Sequence, residues 1–216
     1  MIILRQIIDE EWEQKKGTDK MRYDMVAKFY DQFESPMEFF TFANWRDHLF
    51  DKMNPKNGDL VLEIGVGTGR NIPHYRRGRY VAFDISAKMI SRAKTRKDSK
   101  DVSLLIADAE SPPFRNNMFD ELFSTFVFCS VENPLRGLKE VRRTLNPTGK
   151  ALFLEHMLPN SKILRPIFHF LNPVAKVIGP EIDRRTDENI KEAGFEIAMQ
   201  ENLLLTVFRL IESRKP

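Results

Sequence analysis

Val61-Leu62-Glu63-Ile64-Gly65-Val66-Gly67-Thr68-Gly69-Arg70-Asn71 joins an apolar strand to three alternate glycines and then to a helix. Glycines at the carboxyl end of a parallel strand let the backbone turn tightly and approach a ligand closely, where a side chain would stand in the way. A nucleotide-like ligand is therefore expected beside Gly65, Gly67 and Gly69, with the carboxylate of Glu63 just ahead of the turn. The third glycine follows the second by two residues rather than three, so the stretch departs from the G-x-G-x-x-G dinucleotide fingerprint.

Outward from this turn, short apolar runs alternate with longer amphipathic segments, the pattern of βαβ units in a parallel sheet. The runs are LVLEI (60–64), YVAFD (80–84), VSLLIA (102–107), ELFSTFVF (121–128) and KALFLEH (150–156). Each is apolar, rich in β-branched or aromatic residues, and bounded by Gly, Asp, Asn or Pro. Ser86 is placed to cap a helix over AKMISRAKTRK, and Asn133 with Pro134 to start PLRGLKEVRRTL, which Asn146-Pro147 closes. Thr186 is placed to cap a further helix, with Asp187 and Glu188 in its first turn and Gly194 at its end. FEIAMQ (195–200) and LLLTVFRLIES (203–213) are separated by two residues, which fits a hairpin. The expected fold is α/β: a Rossmann-like, doubly wound, mostly parallel seven-stranded sheet with an antiparallel last strand.

Two segments lie outside that scheme. Residues 1–53 carry apolar positions 3, 4, 7, 8 and 12 at helical spacing, followed by an aromatic-dense stretch, and are expected to form an N-terminal helical cap on a domain spanning 54–216. In 163–178, Ile163, Leu164, Ile167, Phe168, Leu171, Val174, Ala175 and Ile178 fall on one helical face, opposite Arg165, His169, Asn172 and Lys176, with Pro173 a kink. This helix has two readings: a lid at about 160–180 that buries its apolar face over an acceptor pocket, or a peripheral contact with a membrane.

Composition narrows the function. The chain has 216 residues, enough for one α/β domain with a sizeable core. Lys and Arg number 34 against 31 Asp and Glu, so the net charge of +3 lacks the excess of a dedicated nucleic-acid binder. Residues 70–100 carry ten Lys or Arg against two Asp and read as the solvated face of two amphipathic helices. Cys129 has no intramolecular partner, and the histidines at 48, 74, 156 and 169 fall at no zinc-ligand spacing, so no metal is expected. The N-terminus has no basic leader or cleavage site, and no run of 18 apolar residues exists, which predicts a cytoplasmic protein without a transmembrane span.

E-x-G-x-G-x-G after a first strand resembles motif I of the class I S-adenosylmethionine-dependent methyltransferases. Other matches follow in the family's order over about residues 20–212. The resemblance implies that Asp84, with Ile85 and Met89 nearby, holds the two ribose hydroxyls, and that Asp108-Ala109 meets the adenine. Phe119-Asp120 and the strand through Thr125-Phe126-Val127-Phe128 resemble the strand beside the methionyl end. Tyr23-Asp24 and Tyr30-Asp31 resemble the segment by which small members of the family fold an N-terminal helix over the cofactor, although aromatic packing accounts for Tyr23 and Tyr30 equally well. Ser111-Pro112-Pro113-Phe114 precedes the fourth strand, whereas the family's amino-methylating motif follows it, and reads as a loop.

LEIGVGTGRNIPHY (62–75) and ALFLEHMLP (151–159) are most similar to a small, methyltransferase-11-like group. That group holds phospholipid N-methyltransferases and methyltransferase-like 7 thiol methyltransferases, with quinone methyltransferases among the broader relatives. The resemblance implies S-adenosylmethionine as cofactor and S-adenosylhomocysteine as product. The apolar cap and the apolar insertion after the fifth strand point to a small hydrophobic or lipid-like acceptor. His156, at the end of that strand, is the candidate base, with a structural hydrogen-bonded His as the other reading. A nicotinamide-dependent oxidoreductase and a non-catalytic S-adenosylmethionine-binding module are the competing functions.

Overall fold

Strands of five to twelve residues pair to form the sheet, and helices pack on both its faces. A computed structural model describes residues 42–96, 101–178 and 181–216. The strands are β1 (Leu60–Ile64), β2 (Arg79–Asp84), β3 (Val102–Ile106), β4 (Phe119–Thr125), β5 (Leu145–His156), β6 (Glu196–Leu204) and β7 (Phe208–Arg214). Their order is β3-β2-β1-β4-β5-β7-β6, with β7 antiparallel to both neighbours and the pairs from β3 to β5 parallel. The chain moves one way from β1 to β3 and the other way from β4 to β5, so a crevice opens beyond the carboxyl ends of β1 and β4, where such sheets bind ligands.

Alternation along the strands fills both faces. Leu62, Ile64, Leu122 and Phe153 face one side with Leu138 and Val141 of α3 (Pro134–Thr144) and Ile190 of α5 (Thr186–Glu192). Val61, Phe123, Leu152 and Leu210 face the other, against Leu49 and Phe50 of α1 (Ala43–Lys52) and Ile90 and Ala93 of α2 (Ala87–Arg96). The stretch 43–52, grouped by sequence with the cap, thus contributes two fully buried side chains to the core. The remaining helix is α4 (Leu164–Ile178). No helix of the described residues is long and apolar enough to cross a membrane.

The capping signals hold at two helices. Ser86 Oγ accepts from Met89 N at 3.2 Å, and Asn133 Oδ1 from Arg136 N at 3.0 Å. At α5, Thr186 is the first helical residue and Arg185 precedes it without a side-chain cap bond.

Five expectations change. Asn146-Pro147 do not close α3, which ends at Thr144; they lie within β5, which begins at Leu145. The glycine turn leads into a 3-10 turn, Ile72–His74, rather than a helix, because β2 begins at Arg79 and leaves no room for one; the basic run 70–100 therefore spans a single α-helix among its described residues. The fourth strand stops at Thr125, where Phe126 turns the chain with φ of 59°. The C-terminal hairpin turns at residues 205–207, and Asn202 lies in β6 opposite Arg209. On α4, Leu164, Phe168 and Ala175 are half-buried, but Ile163, just ahead of the helix, and Ile167 and Leu171 within it are exposed, so the helix does not bury its whole apolar face. Residues 1–41, including Tyr23 and Tyr30, lie outside the described residues.

Candidate cofactor site and its aromatic wall

The crevice at the ends of β1 and β4 gathers most of the residues singled out by sequence. Gly65, Gly67, Asp84, Ile85, Met89, Asp108, Ala109 and Phe126 line one cleft together with Glu110, Thr125 and Val127. Gly67 has φ of 53°, and a Cβ built on it meets nothing within 4 Å. Its left-handed backbone excludes a branched side chain while leaving space in front of the loop. Gly67 N donates to Asp84 Oδ2 at 2.9 Å, and Ser86 N to Asp84 Oδ1 at 2.9 Å, so this carboxylate pins the loop to the start of α2. Gly69 is off the cleft wall; a Cβ there would come within 2.9 Å of Ala93 Cα, so its smallness brings loop and helix together.

Glu63 is also behind the wall, fully buried. It accepts from Asn71 Nδ2 at 2.5 Å and from the Tyr75 hydroxyl. Arg46 Nη1 donates to Asn71 Oδ1 at 2.6 Å and to Thr125 Oγ1 at 3.3 Å. Burial pushes the Glu63 carboxyl up to about 7 against the lowering effect of those two hydrogen bonds. Glu63 therefore holds the loop from beneath. Asp108 Oδ1 accepts from Glu110 N at 2.8 Å, which fixes the turn after β3. Glu110 accepts from Asn133 N at 2.9 Å, and burial pushes its carboxyl up to about 7.

On the far side, Glu155 fixes the turn after β4. Its Oε1 accepts from Ser124 Oγ at 2.8 Å and from Val127 N and Phe128 N at 3.2 Å each, and burial pushes the carboxyl up to about 7. Phe126, aimed by that turn, packs 4.8 Å from Phe42 and 5.8 Å from Phe208, centroid to centroid. Phe208 also meets Trp45 at 4.9 Å and His156 at 5.1 Å, and His156 stacks on Phe168 at 5.8 Å. An aromatic wall thus runs from the cleft to α4.

Known proteins match this chain along the same stretch. Residues 62–153 match the methyltransferase domain family. The chain is 30% identical over 147 residues to a demethylmenaquinone methyltransferase of Thermotoga maritima, covering 65% of this chain and 62% of that enzyme. It is 24% identical over 225 residues to a ubiquinone/menaquinone biosynthesis C-methyltransferase of a Ruegeria species, covering 91% of this chain and 90% of that enzyme. A methyltransferase of Haloferax volcanii, solved with the Trm112 activator, superposes with a TM-score of 0.74 at 19% identity, over 91% of this chain and 97% of the other. Residues 62–153 thus form a methyltransferase domain of the S-adenosylmethionine-dependent kind.

The cleft fits S-adenosylmethionine in two ways: space is open in front of Gly67, and the wall carries the carboxylates of Asp84 and Asp108, which would accept from a ligand rich in O–H and N–H donors. His156, the candidate base, is not on that wall. It lies in the aromatic wall beyond Phe126, where burial pushes its imidazole down to about 4, and its Nδ1 has no hydrogen-bond partner among the described residues. Cys129 is buried, and burial pushes its thiol up to about 12, so it is no nucleophile. Sequence reasoning missed Arg46, Tyr75 and Glu110. Asn71 closed the decisive stretch yet gave no sign of its bond to Glu63, and nothing in the sequence placed Arg46 beside the loop.

Proposed function

We propose that this methyltransferase acts on a hydrophobic, lipid-like acceptor, with an electron-rich quinol ring as the first to test. The observation that supports this reading is the aromatic wall of Phe42, Phe126, Phe208, His156 and Phe168, which offers flat apolar faces and few polar anchors to whatever sits beyond the cleft. The names of the quinone-methylating relatives agree with it.

Bound S-adenosylmethionine supplies a methyl group on a positively charged sulfur. The chain's own part is to align and to exclude water. In this reading Asp84 accepts from the ribose hydroxyls, Asp108 from the adenine amine, and the Gly65–Gly67 backbone makes room for the chain between them. Phe126 closes the acceptor side of the cleft. His156 stays neutral at neutral pH, the form that accepts a proton, but it is a weak base. Methyl addition to a ring carbon leaves a strongly acidic proton on that carbon, which a weak base removes, whereas a thiol or an ammonium group needs a stronger one before transfer. That difference favours carbon over sulfur or nitrogen.

The test is transfer of radiolabelled methyl from S-adenosylmethionine to a panel of reduced demethylated quinones, phosphatidylethanolamine and alkyl thiols. Label in the quinone ring is expected. Label confined to the amine or thiol would replace the quinol by that acceptor, and cofactor binding without any transfer would make the chain a binding module.

A further inference from the structure

We infer that the outer edge of α4 and the tip of the β6–β7 hairpin form one docking surface for a bilayer with anionic headgroups. On α4 and the residue ahead of it, Ile163 (79% exposed), Ile167, Phe170 (82% exposed) and Leu171 fall at i, i+4, i+7 and i+8, which is a single stripe turned away from the protein. Beside it stands the hairpin tip. Val207 N donates to Leu204 O at 2.8 Å, closing a tight turn whose central residues, Leu205 and Thr206, have φ of 47° and 61°. Such turns favour Asn and Gly, because a side chain is strained in the left-handed region. Here a leucine takes that strained place and is 71% exposed, with Leu204 exposed next to it. Neither folding stability nor solubility gains from that choice, which points to a partner that rewards apolar contact.

The two parts are held together by the strap that enters α4. Met157 N donates to Val207 O at 2.8 Å, and Asn160 N to Thr206 Oγ1 at 3.0 Å. Charge selects the partner. From residue 156 to residue 180 the sequence has Lys162, Arg165 and Lys176 and no Asp or Glu, and residues 202–208 carry no charge at all; the acids that follow are paired, Glu181 with Arg184 and Asp183 with His169 of α4. An apolar stripe with Lys162 and Arg165 at its start, and with its neighbouring acids already paired, suits an anionic lipid surface. The aromatic wall lies directly behind this face, through Phe168 and His156, so docking would set the acceptor side of the cleft towards a lipid-soluble substrate. The surface deepens, and rests on, the lipid-like acceptor of the proposed function.

The test is co-sedimentation of the full chain with vesicles of phosphatidylcholine alone or with a third phosphatidylglycerol, for the wild type, Leu205→Asn, Phe170→Ser and the double variant. Leu205→Asn removes the apolar tip while placing a residue at ease in the left-handed conformation, so its thermal midpoint should hold or rise as its binding falls. Binding to the anionic vesicles is expected to drop about tenfold or more in the double variant, from the loss of two inserted apolar side chains. Wild-type protein that ignores anionic vesicles, binding untouched by both substitutions, or binding lost only on removing residues 1–20 would each overturn the surface. Vesicle binding needs no turnover, so a docked protein that methylates no lipid-soluble acceptor would sink the acceptor reading and leave the surface standing.

Discussion

Gly67 and Asp84 share one hydrogen bond, yet their replacements should fail differently. Gly67→Val puts a branched side chain where φ of 53° strains it and where the loop faces open space, so we expect a folded protein that no longer binds S-adenosylmethionine by calorimetry. Unchanged affinity would move the cofactor elsewhere. Asp84→Ala should weaken S-adenosylmethionine and S-adenosylhomocysteine alike, by about 1.5–3 kcal/mol, since the ribose is common to both. A loss confined to one of them would remove Asp84 from the ribose. Glu155 supplies a pH test. Its carboxyl rises from 4.5 to about 7 on burial, so between those values the folded state keeps a proton that the unfolded chain has released. The stability it contributes is complete below 4.5 and is lost as pH rises through about 7. Glu155→Gln, which imitates the protonated form, should gain on the wild type by on the order of 2 kcal/mol between about pH 5 and about pH 8 in urea unfolding. A constant gap would show that Glu155 is ionised in the fold throughout.

Among the elements, α1 contributes the least expected group. Arg46 reaches from it to Asn71 and Thr125, so Arg46→Met should destabilise the fold by about 1.5–3 kcal/mol and weaken cofactor binding as the loop loosens. A stability loss with full cofactor affinity would confine Arg46 to the core. The parallel strands could be read from the chain because buried strands demand unbroken apolar runs, and the glycine turn because only glycine suits its backbone. Asp84 and Asp108 came from the family resemblance, which sets such residues at strand ends. Arg46 did not, since a buried cation far away in sequence leaves no local pattern. The hairpin was misplaced for a related reason. Glu201-Asn202 has the polarity of a turn, but Glu201 is held by His48 at 2.8 Å and Asn202 pairs with Arg209, which leaves apolar Leu205 to make the bend. Leu205 looked like strand because sequence patterns assign apolar residues to burial. The split face of α4 escaped in the same way: periodicity shows that a face is apolar, not what covers it.

For the molecule as a whole, the seven described strands begin at Leu60. Removing residues 1–20 leaves all seven described strands in the chain, so turnover should fall further than the thermal midpoint; an equal loss of both would make that segment part of the core. The strand order carries a consequence for synthesis. β7 is the last strand to leave the ribosome, yet it is inserted between β5 and β6. A nascent chain can close β1 to β5 early, but the rim of β5 from Lys150 to His156 then stays open, and β6 has nothing to pair with. For that interval an unpaired strand edge faces solvent or another nascent chain. Chains broken off before residue 208 should consequently collect in aggregates or at chaperones rather than persist as partly active enzyme, although every residue on the cofactor cleft has already been made.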